Sequence, residues 1–226
     1  MAIELTWFGH SAFALNIGDA RILIDPFLTD NPFAPISANE VEADYILITH
    51  GHGDHIGDTV AIAQRTGALV ISCFEICNWL QTQGVTRTHA QHVGGGFQHS
   101  FGYLKLTIAH HGSGLPDGSY GGVACGLLLA AEGKKIYLAG DTGLFYDMRI
   151  IGEEGIDLAI LPIGDNFTMG VDDAVKAVEF VNPAMAIPMH YNTFPVIAAN
   201  PDDFSHKVAP LRVQVRVLEF GETIEL

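Results

Sequence analysis

Several features of common protein classes are missing from this chain of 226 residues, and each absence excludes a class. No apolar run approaches the roughly 20 residues that a membrane-spanning helix needs, so we predict no membrane association. Lys and Arg number only 11 against 26 Asp and Glu, and the resulting net charge of −15 disfavours nucleic-acid binding. The first segment, MAIELTWFGH, carries Glu4 and no basic cluster, so we expect no signal peptide and a cytoplasmic location.

Cysteine is also scarce, since the chain contains only Cys73, Cys77 and Cys125. An odd number of cysteines without a signal peptide argues against a disulfide framework. The spacing of Cys73 and Cys77 would suit half of a metal site, but the pair lies in the apolar stretch ISCFEICNWL and has no second pair. We therefore predict buried thiols. The G-x-S-x-G motif is absent as well, which disfavours a serine hydrolase.

The apolar residues that are present follow one order of strands and helices in each half of the chain. RILIDPF and DYILITH read as strands, DTVAIAQRTG as a helix with Asp58 as its N-cap, and ALVISC as a strand. KKIYLAGD, IDLAILPIGDN, VDDAVKAVEFV and NPAMAIPMH repeat that order, with Asp141 falling where Asp25 falls. We predict one α/β domain over residues 1–226, built of two similar halves (about 1–100 and 101–226). Two sheets packed face to face with helices outside would form a four-layer αββα sandwich.

Histidine is plentiful, and four candidate metal ligands stand within six residues of THGHGDHIGD, residues 49–58. These are His50, His52, Asp54 and His55, in the pattern H-x-H-x-D-H. Three glycines let the segment turn tightly between a strand and a helix, so that the side chains converge. Imidazole and carboxylate groups suit zinc, manganese and iron. This pattern is far more specific than a lone pair of histidines, and it predicts a metal site.

Four groups cannot complete two metal sites, and three further strand ends offer the remaining ligands. TIAHHGSG contributes His110 or His111, YLAGDTG contributes Asp141, and IPMHYNT contributes His190. Taken alone, Asp141 would be an ordinary turn residue and His190 an ordinary core histidine. Their shared position at strand ends favours metal binding for both.

These motifs resemble those of the metallo-β-lactamase superfamily, and most closely its lactonase-like branch of metal-dependent hydrolases. The resemblance covers nearly the whole chain. It rests on FGHSAF (8–13), ILIDPF (22–27), THGHGDHIGD (49–58), AGDTGLF (139–145), LPIGDNFTMG (161–170) and IPMHYNTFP (187–195). It implies the four-layer sandwich and a hydrolase with two divalent metal ions. Zinc and manganese are the first candidates, and iron and nickel are the alternatives.

The resemblance also implies a role for each candidate residue. One metal ion would be bound by His50, His52 and His111, although His110 stays open as the alternative to His111. The other would be bound by Asp54, His55 and His190, with Asp141 bridging the two ions. Of the two candidate catalytic residues, Asp54 would also orient the attacking water. His10, the other, would contact substrate or carry a proton, unless its role is structural, and Asp25 would support a ligand histidine.

The expected reaction is the hydrolysis of a small-molecule ester or lactone by water activated on the two metals. Since no Lys or Arg stands in the motifs to hold a phosphate, a phosphodiesterase acting on a small phosphodiester is the alternative. A non-catalytic metal-binding protein and a redox protein rank below both. Asn166, Tyr191 and Thr193 follow strand ends and are candidate substrate contacts, or simply make hydrogen bonds within loops. Members of the family often assemble, so a homo-oligomer is a further expectation.

Overall fold

The computed structural model describes residues 2–226, which form 14 strands and six α-helices. The strands are β1 Ile3–Trp7, β2 Phe13–Ile17, β3 Ala20–Ile24, β4 Tyr45–Leu47, β5 Leu69–Cys73, β6 Thr88–Gln91, β7 Gly96–His99, β8 Gly102–Ile108, β9 Cys125–Ala131, β10 Lys134–Leu138, β11 Leu158–Pro162, β12 Met185–Met189, β13 Gln214–Val215 and β14 Thr223–Glu225. The helices are α1 Gly53–Ile56, α2 Thr59–Thr66, α3 Phe74–Thr82, α4 Met148–Gly152, α5 Val171–Val181 and α6 Pro201–Val208.

The strands form two seven-stranded mixed sheets. The first has the order β14-β1-β2-β3-β4-β5-β6, and the second has the order β13-β12-β11-β10-β9-β8-β7. Each contains an antiparallel hairpin, β2–β3 or β9–β10, whose second strand begins a parallel run, β3 to β6 or β10 to β13. The chain passes from the first sheet to the second between β6 and β7. Only β14 returns to the first sheet, where it pairs with β1.

The side chains of the first sheet contribute to two apolar cores, one on each face of the sheet. On β3, Ile22 and Ile24 belong to the main core with residues of the second sheet such as Leu127, because side chains of one strand alternate between faces. Leu23 points the other way, into a smaller core that includes Ile62 of α2. Helices α5 and α6 cover the outer face of the second sheet. This arrangement confirms the predicted αββα sandwich.

The connecting loops that carry the candidate ligands lie at one edge of both sheets. Strands β1 and β3 run in the same direction because both are antiparallel to β2, and β8 and β10 do so because both are antiparallel to β9. The loops touch directly: the amide of Cys125 donates to the carbonyl of Thr49 at 3.1 Å, and the amide of His190 donates to the carbonyl of His10 at 3.1 Å. One rigid edge therefore presents residues from distant parts of the chain.

Some local predictions are confirmed and others are not. All three cysteines are buried free thiols, as expected. Asp58 occupies the N-cap position of α2, but its side chain makes no capping bond and instead accepts hydrogen bonds from Leu28 and Thr29. The predicted cap was wrong in that respect, because the carboxylate joins the helix to the loop after β3. Among the described residues, no helix has the length and apolar character needed to cross a membrane.

Candidate metal centre

The structure brings all seven sequence-predicted metal ligands to one point at the shared edge of the sheets. Their ligand atoms fall into three groups of three or four, and within each group the atoms lie within 4.8 Å of one another. We call His50, His52 and His111 the first ligand set, and Asp54, His55 and His190 the second ligand set. Asp141 lies between them, and His10 joins the second set.

In the first ligand set, three imidazole rings meet almost at right angles. The angles between the ring planes are 82° for His50 and His52, 83° for His50 and His111, and 82° for His52 and His111. His52 Nδ1 lies 3.0 Å from His50 Nε2 and 3.2 Å from His111 Nε2. The three ring nitrogens therefore point at a common centre from perpendicular planes. Three histidines that bind one face of a metal ion have this arrangement.

The second ligand set combines helix α1 with the loop after β12. Asp54 and His55 follow each other in α1, which begins immediately after His52, and His190 follows β12. His55 and His190 are buried, and their rings lie nearly parallel with centroids 5.7 Å apart. The carboxylate of Asp54 is 31% exposed and stands 4.0 Å from His190 Nε2. This set therefore offers a mixed nitrogen and oxygen environment.

Asp141 faces both ligand sets with one buried carboxylate. Its Oδ1 lies 3.3 Å from His55 Nε2, and its Oδ2 lies 3.0 Å from His190 Nε2 and 3.5 Å from His111 Nε2. One carboxylate that reaches His55 and His190 of the second set and His111 of the first set could bridge two ions.

A buried carboxylate, Asp25, orients one histidine of each ligand set. His55 donates from Nδ1 to Asp25 Oδ2 at 2.8 Å. The Thr49 hydroxyl donates to the same oxygen at 2.6 Å, so it must accept from His50 Nδ1, 3.1 Å away. In both histidines the proton is then on Nδ1, which leaves the Nε2 lone pair free for a metal ion. The predicted supporting role of Asp25 therefore has a structural basis.

The tight loop between β4 and α2 depends on one of its three glycines in particular. Gly57 has φ of +37°, and a Cβ there would lie 2.5 Å from the carbonyl oxygen of Pro26. A side chain would displace α1 from the loop after β3, and with it Asp54 and His55. A Cβ on Gly53, by contrast, would meet nothing within 4 Å.

His10 lies behind Asp54 and is fully buried. Its Nε2 is 3.1 Å from Asp54 Oδ2, and its Nδ1 is 2.9 Å from the hydroxyl of Thr193. Its ring also packs on that of His190, with centroids 4.1 Å apart. His10 is therefore part of the centre, but it reaches the cavity through Asp54; its catalytic role stays a prediction.

Several polar atoms of the centre lack any hydrogen-bond partner within residues 2–226. They include His55 Nε2, His190 Nε2 and Asp141 Oδ1, all of them buried. Leaving buried polar atoms unpaired costs about 1–3 kcal/mol each. Because these atoms belong to the ligand-type groups that converge here, a divalent cation fits the centre and would satisfy them.

The charges of the centre are strongly coupled. Burial lowers the pKa of His50 well below its ordinary value, so the ring stays neutral. Burial acts in the same direction on His55, but the carboxylates of Asp141 and Asp25 outweigh it and raise the pKa of His55. Burial would raise the pKa of Asp141, yet the charges of His55 and His190 hold that pKa well below its usual range. The Asp141 carboxylate is therefore ionised, as a ligand to a cation must be.

The adjacent histidines after β8, which the sequence could not rank, have different surroundings. His111 Nε2 points into the first ligand set. His110 is exposed, and its ring lies against Phe145 at a centroid distance of 4.9 Å. The geometry favours His111 as the candidate ligand.

A cavity of about 230 Å³ opens onto the centre. Its walls are His52, Asp54, His111, Asp141, Phe167, His190 and Phe194. The cavity thus joins the outward faces of both ligand sets to two phenyl rings.

The three predicted substrate contacts do not lie on these walls. Asn166 is exposed beside Phe167, and its amide donates to its neighbour Asp165. Tyr191 is buried against Trp7, with ring centroids 5.7 Å apart. Thr193 is buried, and its hydroxyl faces His10. Their contact with substrate stays a prediction.

Sequence reasoning missed Phe167 and Phe194, which form the apolar part of the cavity. Both are immediate neighbours of residues that were singled out, and phenyl rings beside a metal motif were the only available signal. Asp165 and Asn166 have φ of +60° and +52°, so the chain reverses there and turns Phe167 toward the cavity. Phe167 is 55% exposed.

Comparison with known proteins agrees with this geometry. A family model described as the β-lactamase superfamily domain matches residues 20–191. A UPF0173 metal-dependent hydrolase from Carboxydothermus hydrogenoformans is 52% identical over 227 residues, covering 99% of this chain and 100% of the relative. A second such hydrolase, from Thermus thermophilus, is 47% identical over 224 residues, with 99% of each chain covered.

Solved structures extend the comparison. Igni18, a metallo hydrolase from the archaeon Ignicoccus hospitalis, superposes with a TM-score of 0.90 at 39% identity, covering 100% of this chain and 99% of that one. An isothiocyanate hydrolase from Delia radicum gut bacteria superposes with a TM-score of 0.78 at 19% identity, covering 98% of each chain. The latter likeness concerns the fold alone.

Proposed function

Because the chain belongs to the metallo-β-lactamase superfamily, among its metal-dependent hydrolases, we propose that it hydrolyses small neutral esters or lactones with two divalent metal ions. The observation that carries this proposal is the convergence of two complete ligand sets on Asp141 at the floor of a cavity. Zinc or manganese are the ions we expect, and iron and nickel suit the same donors.

Each ligand set would hold one ion, and Asp141 would bridge them. Two such ions, when bound, lower the pKa of a shared water toward neutrality and polarise the oxygen of the bond to be broken. The chain's own contribution is to aim the lone pairs. Asp25 does so for His50 and His55, while Asp54, on the cavity wall, accepts a hydrogen bond from the attacking water and orients it.

The cavity supports a small and uncharged substrate. Its volume of about 230 Å³ lies below the range of roughly 300–1,000 Å³ that is usual for drug-sized ligands. Its seven wall residues include two phenyl rings and no Lys or Arg. A phosphodiester would have to rely on the metals alone for charge neutralisation, whereas an ester or lactone needs no such clamp. Phe167 and Phe194 would cover the apolar part of the acyl or alcohol group.

The proposal is tested with a panel of short esters, lactones and small phosphodiesters, each offered to protein loaded with zinc or manganese. We expect turnover of a carboxylic ester or lactone and at least about a hundredfold loss in the His111→Ala variant, because a ligand is removed. His110→Ala is the matched control and should retain full activity, since its ring lies outside the centre. Turnover of phosphodiesters alone would reassign the substrate class, and no turnover of any panel member by the dinuclear protein would refute the proposed activity.

A further inference from the structure

We propose that Thr193 and His10 act as a positioning pair, which holds the Asp54 carboxylate in place for the second ligand set. This inference rests on the proposed dinuclear centre. It gives Thr193 a role in metal binding rather than in contacting substrate, and it makes His10 act through Asp54.

The contacts form a continuous chain from the loop after β12 to the cavity. The Thr193 hydroxyl lies 2.9 Å from His10 Nδ1, and His10 Nε2 lies 3.1 Å from Asp54 Oδ2. The two residues behind Asp54 are buried. The Asp54 side chain is 31% exposed, whereas His10 is 0% and Thr193 is 7% exposed. Water cannot readily replace either inner contact, so both hydrogen bonds must be made within the protein.

The donors and acceptors along this chain leave one arrangement for a neutral imidazole. An ionised Asp54 offers only acceptor oxygens, so His10 must donate from Nε2. A neutral imidazole has a single N–H, hence Nδ1 must accept, and the Thr193 hydroxyl must donate to it. Asp54 thereby fixes the tautomer of His10, and the Thr193 hydroxyl completes the arrangement by donating to Nδ1, so that the ring is held from both nitrogens.

The backbone holds His10 firmly in this position. Its φ is +54°, a left-handed conformation that directs its carbonyl toward two donors, Trp7 Nε1 and the amide of His190, each at 3.1 Å. The rings of Phe27 and Phe194 pack edge-on against its imidazole, both at 5.6–5.7 Å between centroids. His190 itself has no hydrogen-bond partner at Nδ1 among the described residues. His10 therefore supports two members of the second ligand set, Asp54 by a hydrogen bond and His190 by ring packing and a backbone bond.

The contacts of His10 with candidate ligands go to Asp54, His55 and His190, all of the second ligand set, so we expect the pair to act on one half of the centre. Loss of the Thr193 hydroxyl leaves Nδ1 of His10 buried without a donor, so the ring is held less firmly and its hydrogen bond to Asp54 weakens. The expected consequence is weaker binding of one ion only. Removing a group that orients a ligand typically weakens metal binding by about 10–100-fold.

The test compares Thr193→Val, which keeps the shape and removes the hydroxyl, with Thr193→Ser, which restores it. Thr107→Val is the matched control, since Thr107 is as buried as Thr193 but lies within strand β8, outside the segments that carry the ligand sets. Zinc affinities are measured by competition with a chromophoric chelator, without any substrate. We expect Thr193→Val to bind one of two ions about 10–100-fold more weakly, and the serine variant and the control to match the unchanged protein.

A second readout tests the pair independently of metal stoichiometry. Long-range ¹H–¹⁵N spectra of the zinc-loaded protein report the tautomer of each imidazole, and we expect His10 to carry its proton on Nε2. In Thr193→Val the proton should stay on Nε2, and the ¹⁵N resonance of Nδ1 should move toward that of an imidazole nitrogen that accepts no hydrogen bond. A proton on Nδ1 in the unchanged protein, or equal zinc affinities in Thr193→Val and Thr107→Val, would overturn the positioning role. If the unchanged protein binds fewer than two ions, the proposed dinuclear function fails, and the tautomer alone then decides for or against the pair.

Discussion

The two ligand sets meet at Asp141, yet they are built in different ways. The first set takes His50 and His52 from a single H-x-H motif, and its three rings are mutually perpendicular. Its outer members, His52 and His111, line the cavity. The second set joins α1 to the loop after β12, and its members contact buried partners, His10 and Asp25.

This difference shows how local sequence and tertiary contacts share the work of building a metal centre. Two residues apart on one loop, His50 and His52 need little beyond the chain's own geometry to face a common point. Asp54, in contrast, lies beside residues from the loops after β1 and β12, and those contacts must hold its carboxylate. We therefore expect the second set to depend more on residues that never touch a metal ion.

The largest expected effect comes from removing the group that both sets share. Asp141→Asn keeps the size of the side chain but removes its negative charge and replaces one of its two oxygens with an NH₂ group, so the proposed bridge between the ions is lost. Loss of several kcal/mol of charge stabilisation corresponds to roughly a thousandfold lower kcat/KM. Steady-state kinetics and elemental analysis check this, with the exposed turn variant Asp19→Asn as the control. A variant that keeps both ions and full activity would show that Asp141 does not bridge the sets.

Asp25→Asn is expected to affect both sets without removing any metal ligand. An amide in place of the carboxylate can present N–H to His55 Nδ1, where an acceptor now stands, and it weakens the contact through Thr49 to His50. Both ions should bind about 10–100-fold more weakly. Chelator competition measures the two affinities. The contrast with Thr193→Val, where one affinity changes, sharpens the comparison, and a loss confined to one ion in Asp25→Asn would contradict it.

Phe167→Ala should leave both ligand sets intact and change only the fit of the substrate. The phenyl ring lies on the cavity wall, so its removal uncovers apolar substrate surface worth about 1–2 kcal/mol, or roughly a tenfold higher KM for an ester with an apolar acyl group. The kcat and the metal content should not change. Tyr146→Ala, an exposed aromatic residue away from the cavity, is the control. An unchanged KM across a series of acyl chain lengths would remove Phe167 from the binding site.

The smallest effect lies outside the centre, at His99, where no metal is involved. Burial lowers its pKa to about 4, with the neighbouring His89 acting in the same direction. The unfolded chain, with an ordinary histidine pKa near 6.5, binds more protons between pH 6.5 and 4, so stability falls as the pH drops through this window. The full shift would cost about 2 kcal/mol at pH 5, and solvent screening near the surface reduces the expected cost to roughly 1 kcal/mol, which denaturant unfolding of the unchanged protein and His99→Gln measures. An equal pH dependence in both proteins would contradict this account.

The sequence predicted the part of the centre that depends on local spacing and on strand ends. The H-x-H-x-D-H segment, Asp141 and His190 could be found because each follows an apolar strand of recognisable length. The sandwich could be predicted from the repeated order of elements. Strand β14 and its pairing with β1 could not, because three residues at the far end of the chain carry no periodic signal.

The sequence could not predict the direction in which side chains in the loops point, and the reason is physical. Alternation along a strand stops where the strand stops, so His110 and His111, beyond the end of β8 at Ile108, could not be ranked. Tyr191 lies between two residues with left-handed backbone, His190 at φ +55° and Asn192 at φ +62°. Such reversals redirect a side chain, and here they send Tyr191 into the core. Sequence gives little warning of them in residues other than glycine.

The most direct test of the account is anomalous diffraction at the metal absorption edge from crystals of the metal-loaded protein. We predict two peaks per chain, one among His50, His52 and His111 and the other among Asp54, His55 and His190, each within bonding distance of Asp141. A single peak, or two peaks of which one lies away from Asp141, would contradict the two-set centre.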